Sequence, residues 1–175
     1  SGRLRGCAVP VVCRLWWVVL GLLAAQPLLA AQLIKVGAYH FPPYVSKPEA
    51  EQAQGLLPDL LSALNAEQGE YQFVLVPTSV TRRFRDLQSA RYDLIMFESP
   101  SWGWQNTPHE TFDLQVQDAE VYVAKAVAGR GQDYFAQFSG KRMALYSGYH
   151  YGFAQFNADP EYLTKQFNAV LTYSH

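Results

Sequence analysis

Two tryptophans in a polar loop carry the strongest signal for ligand binding in this sequence. Trp102 and Trp104 flank Gly103, and their indole faces can stack on a ligand ring or hold a cation; alternatively, one or both cap the core. Glu98 ends the apolar run before them and can pair with a ligand ammonium, or be a solvated acid at a strand end. These residue types favour recognition of a small molecule.

Ser79 and Arg82 indicate a second kind of chemistry, the binding of an anion. Both stand where a helix is expected to begin, and free backbone N–H groups together with an arginine can hold an anion there. The alternative is a plain N-cap beside a solvated basic face over residues 82–85. The sequence leaves both interpretations open.

The groupings that catalysis or metal binding would need do not stand out in the sequence. There is no evident Ser/His/Asp arrangement, glycine-rich phosphate loop or set of helix-spaced carboxylates suited to acid–base work. The histidines show no paired ligand spacing: His40, His109, His150 and His175. We therefore expect a protein that is not an enzyme and that uses no cofactor and no metal.

Residues 1–31 have the layout of a secretory signal peptide. They hold three arginines and no acid, then an uncharged apolar run over residues 15–25, then a proline and small residues. The run is shorter than the roughly 20 residues of a membrane span, although an uncleaved N-terminal anchor is the alternative. We expect cleavage after Ala30 or Ala31 and a periplasmic product.

Charge and cysteine content exclude further classes of protein. The 175-residue chain has a net charge of −1, which argues against a dedicated nucleic-acid binder. Cys7 and Cys13 both precede the apolar run. An exported product would therefore lack a disulfide framework, a thiol nucleophile and a cysteine metal site.

Short apolar runs alternate with helical patterns in the first half of the mature chain. Strands are predicted at residues 33–38, 71–77 and 92–97, with helices that begin after Gly55 and near Ser79 or Thr81. This alternation is typical of an α/β fold with a parallel sheet. Because ligands bind at the carboxyl ends of such strands, the aromatic and hydroxyl residues there should line a site.

The pattern restarts in the second half of the chain. A strand is predicted at residues 115–126 and a linker at 129–131. A smaller α/β unit should follow, with a helix opened by Asp159. Its other predicted elements are a helix at 133–138 and strands at 142–146 and 169–172.

Several stretches, in this order and spacing, resemble the extracellular solute-binding proteins of family 3. The matching stretches are Ile34-Lys-Val-Gly, Phe41-Pro-Pro-Tyr44, Gly55-Leu-Leu-Pro-Asp-Leu60, Pro77 with Ser79 and Arg82, Tyr92-Asp-Leu-Ile95, Val121-Tyr-Val-Ala-Lys125 and Gly140-Lys-Arg to Gly148. The resemblance implies the type II periplasmic-binding-protein fold. It implies a three-layer, parallel-sheet first lobe over residues 32–124, and a hinge with an incomplete second lobe over residues 125–175.

The resemblance also implies a function and further site residues. Family members clamp a small polar solute, such as an amino acid or related amine, between two lobes and deliver it to the permease of an ABC importer. In them, the segments of Tyr39, Phe41 and Tyr44 and of Ser147 and Tyr149 line the cleft. The complete protein is expected to be a monomer that binds no nucleic acid.

Two departures from the family pattern bear on these expectations. Residues 98–105 contain no arginine where amino-acid binders hold the ligand carboxylate. The predicted second lobe is incomplete, so we expect a fragment. The alternatives are the ligand-sensing lobe of a membrane receptor and the regulatory lobe of a cell-wall lytic enzyme, which the downstream reading frame would distinguish.

Overall fold

The computed structural model describes Gly2 and residues 30–173. The predicted signal peptide therefore lies almost wholly outside the described residues. Among those that are described, no helix combines the length and apolar character that a bilayer crossing requires.

The N-terminal unit, residues 32–104, is built on a parallel sheet. Its three strands lie side by side in the order β2-β1-β3, with both outer strands parallel to the central β1. The elements are β1 (Gln32–Ala38), α1 (Leu56–Glu67), β2 (Tyr71–Pro77), α2 (Arg83–Gln88) and β3 (Leu94–Ile95). The structure thus confirms the α/β pattern of this half, although β3 is shorter than predicted.

The core of the N-terminal unit forms between the sheet and α1. Leu57 and Leu61 lie four residues apart on one face of α1 and pack against Val36 and Ala38 of β1. Gly37 between them lets the ring of Tyr92 approach, because a Cβ atom at this position would stand 2.8 Å from that ring. Burial of these apolar side chains holds β1 against α1, and so fixes the position at which β1 ends.

Helix α2 differs from the prediction in its start and in its buried face. Neither Ser79 nor Thr81 caps it: the N-cap is Arg82, and the Oγ of Ser79 instead accepts a hydrogen bond from the Arg82 backbone N–H at 3.2 Å. The buried residues are charged, Arg83 and Asp86. The expected basic face is therefore not solvated throughout, because Arg83 finds partners inside the fold.

The strand predicted at residues 115–126 does not form. Residues 108–127 contain no helix or strand, and Phe112 and Val123 are 86% and 88% exposed. An extended segment becomes a strand only when a neighbour completes its backbone hydrogen bonds. Among the described residues no strand pairs with this segment, so the prediction was wrong here.

The C-terminal unit, residues 132–173, contains a second small parallel sheet. It consists of a 3-10 helix (Gln132–Phe135), β4 (Met143–Tyr146), a second 3-10 helix (Gly152–Ala154), α3 (Pro160–Phe167) and β5 (Ala169–Thr172). Strands β4 and β5 pair in parallel. As predicted, Asp159 opens α3, and its carboxylate accepts a hydrogen bond from the Tyr162 N–H at 2.9 Å. The chain thus has mixed α/β content with small parallel sheets.

Candidate functional site

A cleft of about 1180 Å³ lies between the two units. Tyr39, Phe41 and Trp102 line it from the N-terminal unit, and Tyr149 lines it from the C-terminal unit. The extended residues 118–125 form a further part of its wall. The cleft is large enough for a small organic ligand with bound water.

The parallel sheet explains why these residues meet. Tyr39 and Phe41 follow the end of β1, Val80 follows β2, and Trp102 lies in the loop after β3. Because the three strands are parallel, their carboxyl ends lie at one edge of the sheet. The structure therefore brings together side chains that are up to 63 positions apart in the sequence, Tyr39 and Trp102.

Phe41 is the central ring of the cleft wall. Its ring centroid lies 6.0 Å from Trp102 and 5.9 Å from Tyr149, both in edge-to-face geometry. It also stacks on Tyr39 at 5.7 Å. One aromatic side chain thus contacts rings of both units across the cleft.

The carboxylate of Glu98 lies behind this wall and accepts hydrogen bonds from three side chains. It accepts hydrogen bonds from the Tyr39 hydroxyl at 2.5 Å, the Trp104 indole N–H at 2.6 Å and the Arg83 Nε at 3.1 Å. Its side chain is only 8% exposed. The role of Glu98 as partner of a ligand ammonium stays a prediction, whereas its observed contacts position the cleft wall.

Arg83 is the residue of this site that sequence reasoning missed. Its side chain is 2% exposed, pairs with Glu98, and donates further hydrogen bonds to the backbone carbonyls of Val80 and Trp102. Its guanidinium also lies 4.3 Å from the ring centroid of Phe84. The only signal in the sequence was the i, i+3 spacing of Arg83 and Asp86 on one helix face.

The remaining predicted site residues do not line the cleft. Tyr44 is buried and stacks on Phe97 at 4.5 Å. Arg82 is exposed, and its Nε donates to the Ser79 Oγ at 3.3 Å. The backbone N–H of Ser147 donates to the Thr172 carbonyl at 2.8 Å. The ligand-binding roles of Tyr44, Ser79, Arg82 and Ser147 stay predictions.

Trp104 also lies outside the cleft lining. It is 4% exposed, and its ring packs 4.6 Å from Phe84 while its indole N–H holds Glu98. This observed packing agrees with the alternative in which a tryptophan caps the core. Of the predicted site residues, Tyr39, Phe41, Trp102 and Tyr149 line the cleft.

The two units touch at glycines that cannot carry a side chain. A Cβ atom on Gly148, where φ is +84°, would stand 2.6 Å from the Cγ1 of Val80. A Cβ atom on Gly103, where φ is +89°, would stand 2.9 Å from the Nε2 of His150. Glycine therefore permits both the backbone conformation and the close approach of the units.

Burial keeps the side chains of Tyr39, Tyr149 and His150 uncharged near neutral pH. It raises the pKa of Tyr39, to which the Glu98 carboxylate adds, and it raises the pKa of Tyr149, to which Tyr146 and Tyr151 add. Burial and then the Arg83 charge lower the pKa of His150, against a backbone hydrogen bond to Gly148 that raises it.

Comparisons with known proteins do not add to this picture. A scan of protein-family models, a search of curated proteins and a search of solved structures each found no match to the chain. Within the described residues, no group of three or more His, Cys, Asp or Glu side chains could hold a metal ion. A functional proposal must therefore start from the cleft.

The buried ion pair of Glu98 and Arg83 gives the first prediction. Glu98→Gln leaves the Arg83 charge without its carboxylate, so the free energy of unfolding should fall by about 3–5 kcal/mol. Adding Arg83→Met removes the unpaired charge, so the double variant should lose less than the sum of the single variants. Urea unfolding measures the free energy of unfolding of the two single variants and of the double variant.

The matched control for this cycle is Glu161→Gln. Glu161 pairs with Lys165 on the surface of α3, where both side chains are more than two-thirds exposed. Its loss should cost less than about 0.5 kcal/mol. Equal losses for Glu98→Gln and Glu161→Gln, or strict additivity in the double variant, would contradict the role assigned to the buried pair.

His150 gives a prediction about how the stability of the protein depends on pH. Above about pH 6.5 the imidazole is neutral in both the folded and the unfolded chain. Below that pH, the unfolded chain takes up a proton more readily than the folded chain, because the pKa of folded His150 is lowered. The free energy of unfolding therefore decreases as the pH is lowered. The Tm of the wild type should therefore drop more between pH 7.5 and 5.5 than that of His150→Gln. Equal drops would show that His150 is not buried as described.

Proposed function

We propose that this chain is a solute-binding protein that captures a small polar solute in the cleft between its two units. In this proposal it is exported to the periplasm, has the type II periplasmic-binding-protein architecture and serves the permease of an ABC importer. The single observation that carries the proposal is the cleft of about 1180 Å³ with aromatic side chains of both units in its lining.

The position of the cleft supports solute capture. A ligand that touches Phe41 and Tyr149 at once would contact both units, whose rings lie 5.9 Å apart at this point. Contact with both sides allows a ligand to stabilise a closed arrangement over an open one, which is how hinged two-lobe binders gain affinity. The linking residues 108–127 carry no helix or strand that would resist such a movement.

The composition of the cleft wall also supports binding of a solute. Aromatic rings supply apolar contact area, and a few polar or charged groups fix orientation, as is typical of small-molecule sites. Behind the wall, Glu98 accepts hydrogen bonds from three protein donors, one of which is the Tyr39 hydroxyl, so the Tyr39 side chain stands at a defined position. A wall of this kind loses little entropy when a ligand binds.

Isothermal titration calorimetry on the full chain tests the proposal. The panel contains amino acids, polyamines and small organic acids, and we expect saturable heat with one-site stoichiometry from at least one class. Trp102→Ala and Tyr149→Ala should each weaken that binding about tenfold, because each removes a stacking surface.

The matched control is Tyr173→Ala, which removes an aromatic ring that is 78% exposed and outside the cleft lining. Its affinity should equal that of the wild type. Absence of heat across the whole panel would overturn the proposed function, as would binding that neither Trp102→Ala nor Tyr149→Ala weakens.

A further inference from the structure

Positive charge is concentrated in the cleft of a chain that is otherwise acidic. Residues 32–175 hold eleven basic and fifteen acidic side chains. Five of the basic side chains line the cleft, but only two of the acidic ones do, Asp118 and Glu120. The basic residues are Arg83, Lys125, Arg130, Lys141 and Arg142. The cleft therefore has the opposite sign of charge to the chain as a whole.

Four of these cations have no carboxylate partner among the described residues. Arg83 is paired with Glu98, whereas no ion pair joins Lys125, Arg130, Lys141 or Arg142 to an acid in residues 30–173. The two acids of the lining are already engaged. Glu120 accepts a hydrogen bond from the Gly152 N–H at 2.7 Å, and Asp118 is hydrogen-bonded to Tyr44.

Two of these cations, Arg130 and Lys141, lie against the ring of Tyr134 in the cleft. The guanidinium of Arg130 lies 4.1 Å and the ammonium of Lys141 4.3 Å from the centre of its ring. The Lys141 ammonium also donates to the Tyr134 carbonyl at 2.5 Å, and Arg130 donates to the Lys125 carbonyl. The cluster is thus held in place by the backbone while Arg130 keeps further N–H donors for a ligand.

Aromatic rings run without a break from this basic cluster to the opposite wall. Each ring centroid lies between 5.4 and 6.2 Å from the next along the series. In order, the rings are those of Tyr134, Phe135, Tyr122, Phe153, Tyr151, Tyr149, Phe41 and Trp102. The cleft therefore offers a basic end and a continuous apolar track that leads away from it.

We propose that the solute is an organic anion with a flat apolar body, its carboxylate or phosphate at Arg130 and Lys141 and its ring along the aromatic track. This inference rests on the proposed function and specifies its ligand. An arginine fork suits both oxyanions, since each presents two oxygens to parallel N–H donors. An amine would meet the Arg130 and Lys141 cations at this place, where like charges repel.

Matched aryl ligands test this inference on the full chain by calorimetry at low salt. The anions are 3-phenylpropionate and phenyl phosphate, and the cation with the same body is 3-phenylpropylamine. Propionate and inorganic phosphate are the anions without the ring. Both aryl anions or one of them should bind, whereas the amine should not and the ring-free anions should bind at least about tenfold more weakly.

Two charge variants locate the anion. Arg130→Gln combined with Lys141→Gln should weaken binding of the aryl anion about tenfold or more, because both charge-assisted donors are lost. Arg85→Gln combined with Lys165→Gln removes an arginine and a lysine charge from exposed positions outside the cleft lining and should leave the affinity unchanged. Added salt should weaken binding to the wild type, since the cluster is partly exposed.

The outcomes separate this inference from the proposed function. Binding of an amine or a neutral amino acid in the cleft, with no binding of either aryl anion, overturns the inference and leaves solute capture standing. Equal binding of 3-phenylpropionate and propionate overturns the assignment of the aromatic track. An unchanged affinity in the double variant of Arg130 and Lys141 overturns the basic end as the anion site. If no ligand, including those of the amino-acid panel, gives binding heat, both proposals are overturned.

Discussion

The carboxylate of Glu98 joins three parts of the N-terminal unit through three hydrogen bonds. Its donors are Tyr39 after β1, Arg83 at the start of α2 and Trp104 in the loop after β3. Water has little access to this network, because the four residues are only 2% to 8% exposed. Loss of the carboxylate would leave several buried donors without an acceptor, so the positions of the elements around the cleft depend on this one group.

The hydrogen bonds of Glu98 determine the shape of the cleft wall. Tyr39 is held by Glu98 and stacks on Phe41, and Phe41 in turn contacts Trp102 and Tyr149. The backbone carbonyl of Trp102 accepts a hydrogen bond from Arg83, which fixes the loop that carries the indole. A buried ion pair contributes less to net stability than its short distances imply, because both ions lose their hydration. Its effect here is to specify one arrangement of the aromatic wall.

Local pattern in the sequence accounts for much of the fold but for less of the site. Strands β1, β2, β4 and β5 and helix α3 follow from apolar runs and from the Asp159 cap, which act over a few residues. The segment at 115–126 has the same local pattern, yet forms no strand without a neighbour to pair with. The burial of Arg83 was not predicted, for a related reason. A charged residue beside two other arginines indicates a solvated face, whereas the ion pair that allows Arg83 to be buried is made with Glu98, which is distant in the sequence.

The exchange of the indole protons with water tests this account most directly. In the ¹⁵N spectrum of the full chain, Trp104→Phe and Trp102→Phe assign the two indole signals. The account predicts slow exchange for Trp104, which is buried and bonded to Glu98, and faster exchange for Trp102, which lines the open cleft. In Glu98→Leu, which has no side-chain acceptor, the Trp104 proton should exchange markedly faster. Rapid exchange of Trp104 in the wild type, or exchange that Glu98→Leu leaves unchanged, would contradict the claim that Glu98 holds the wall of the cleft.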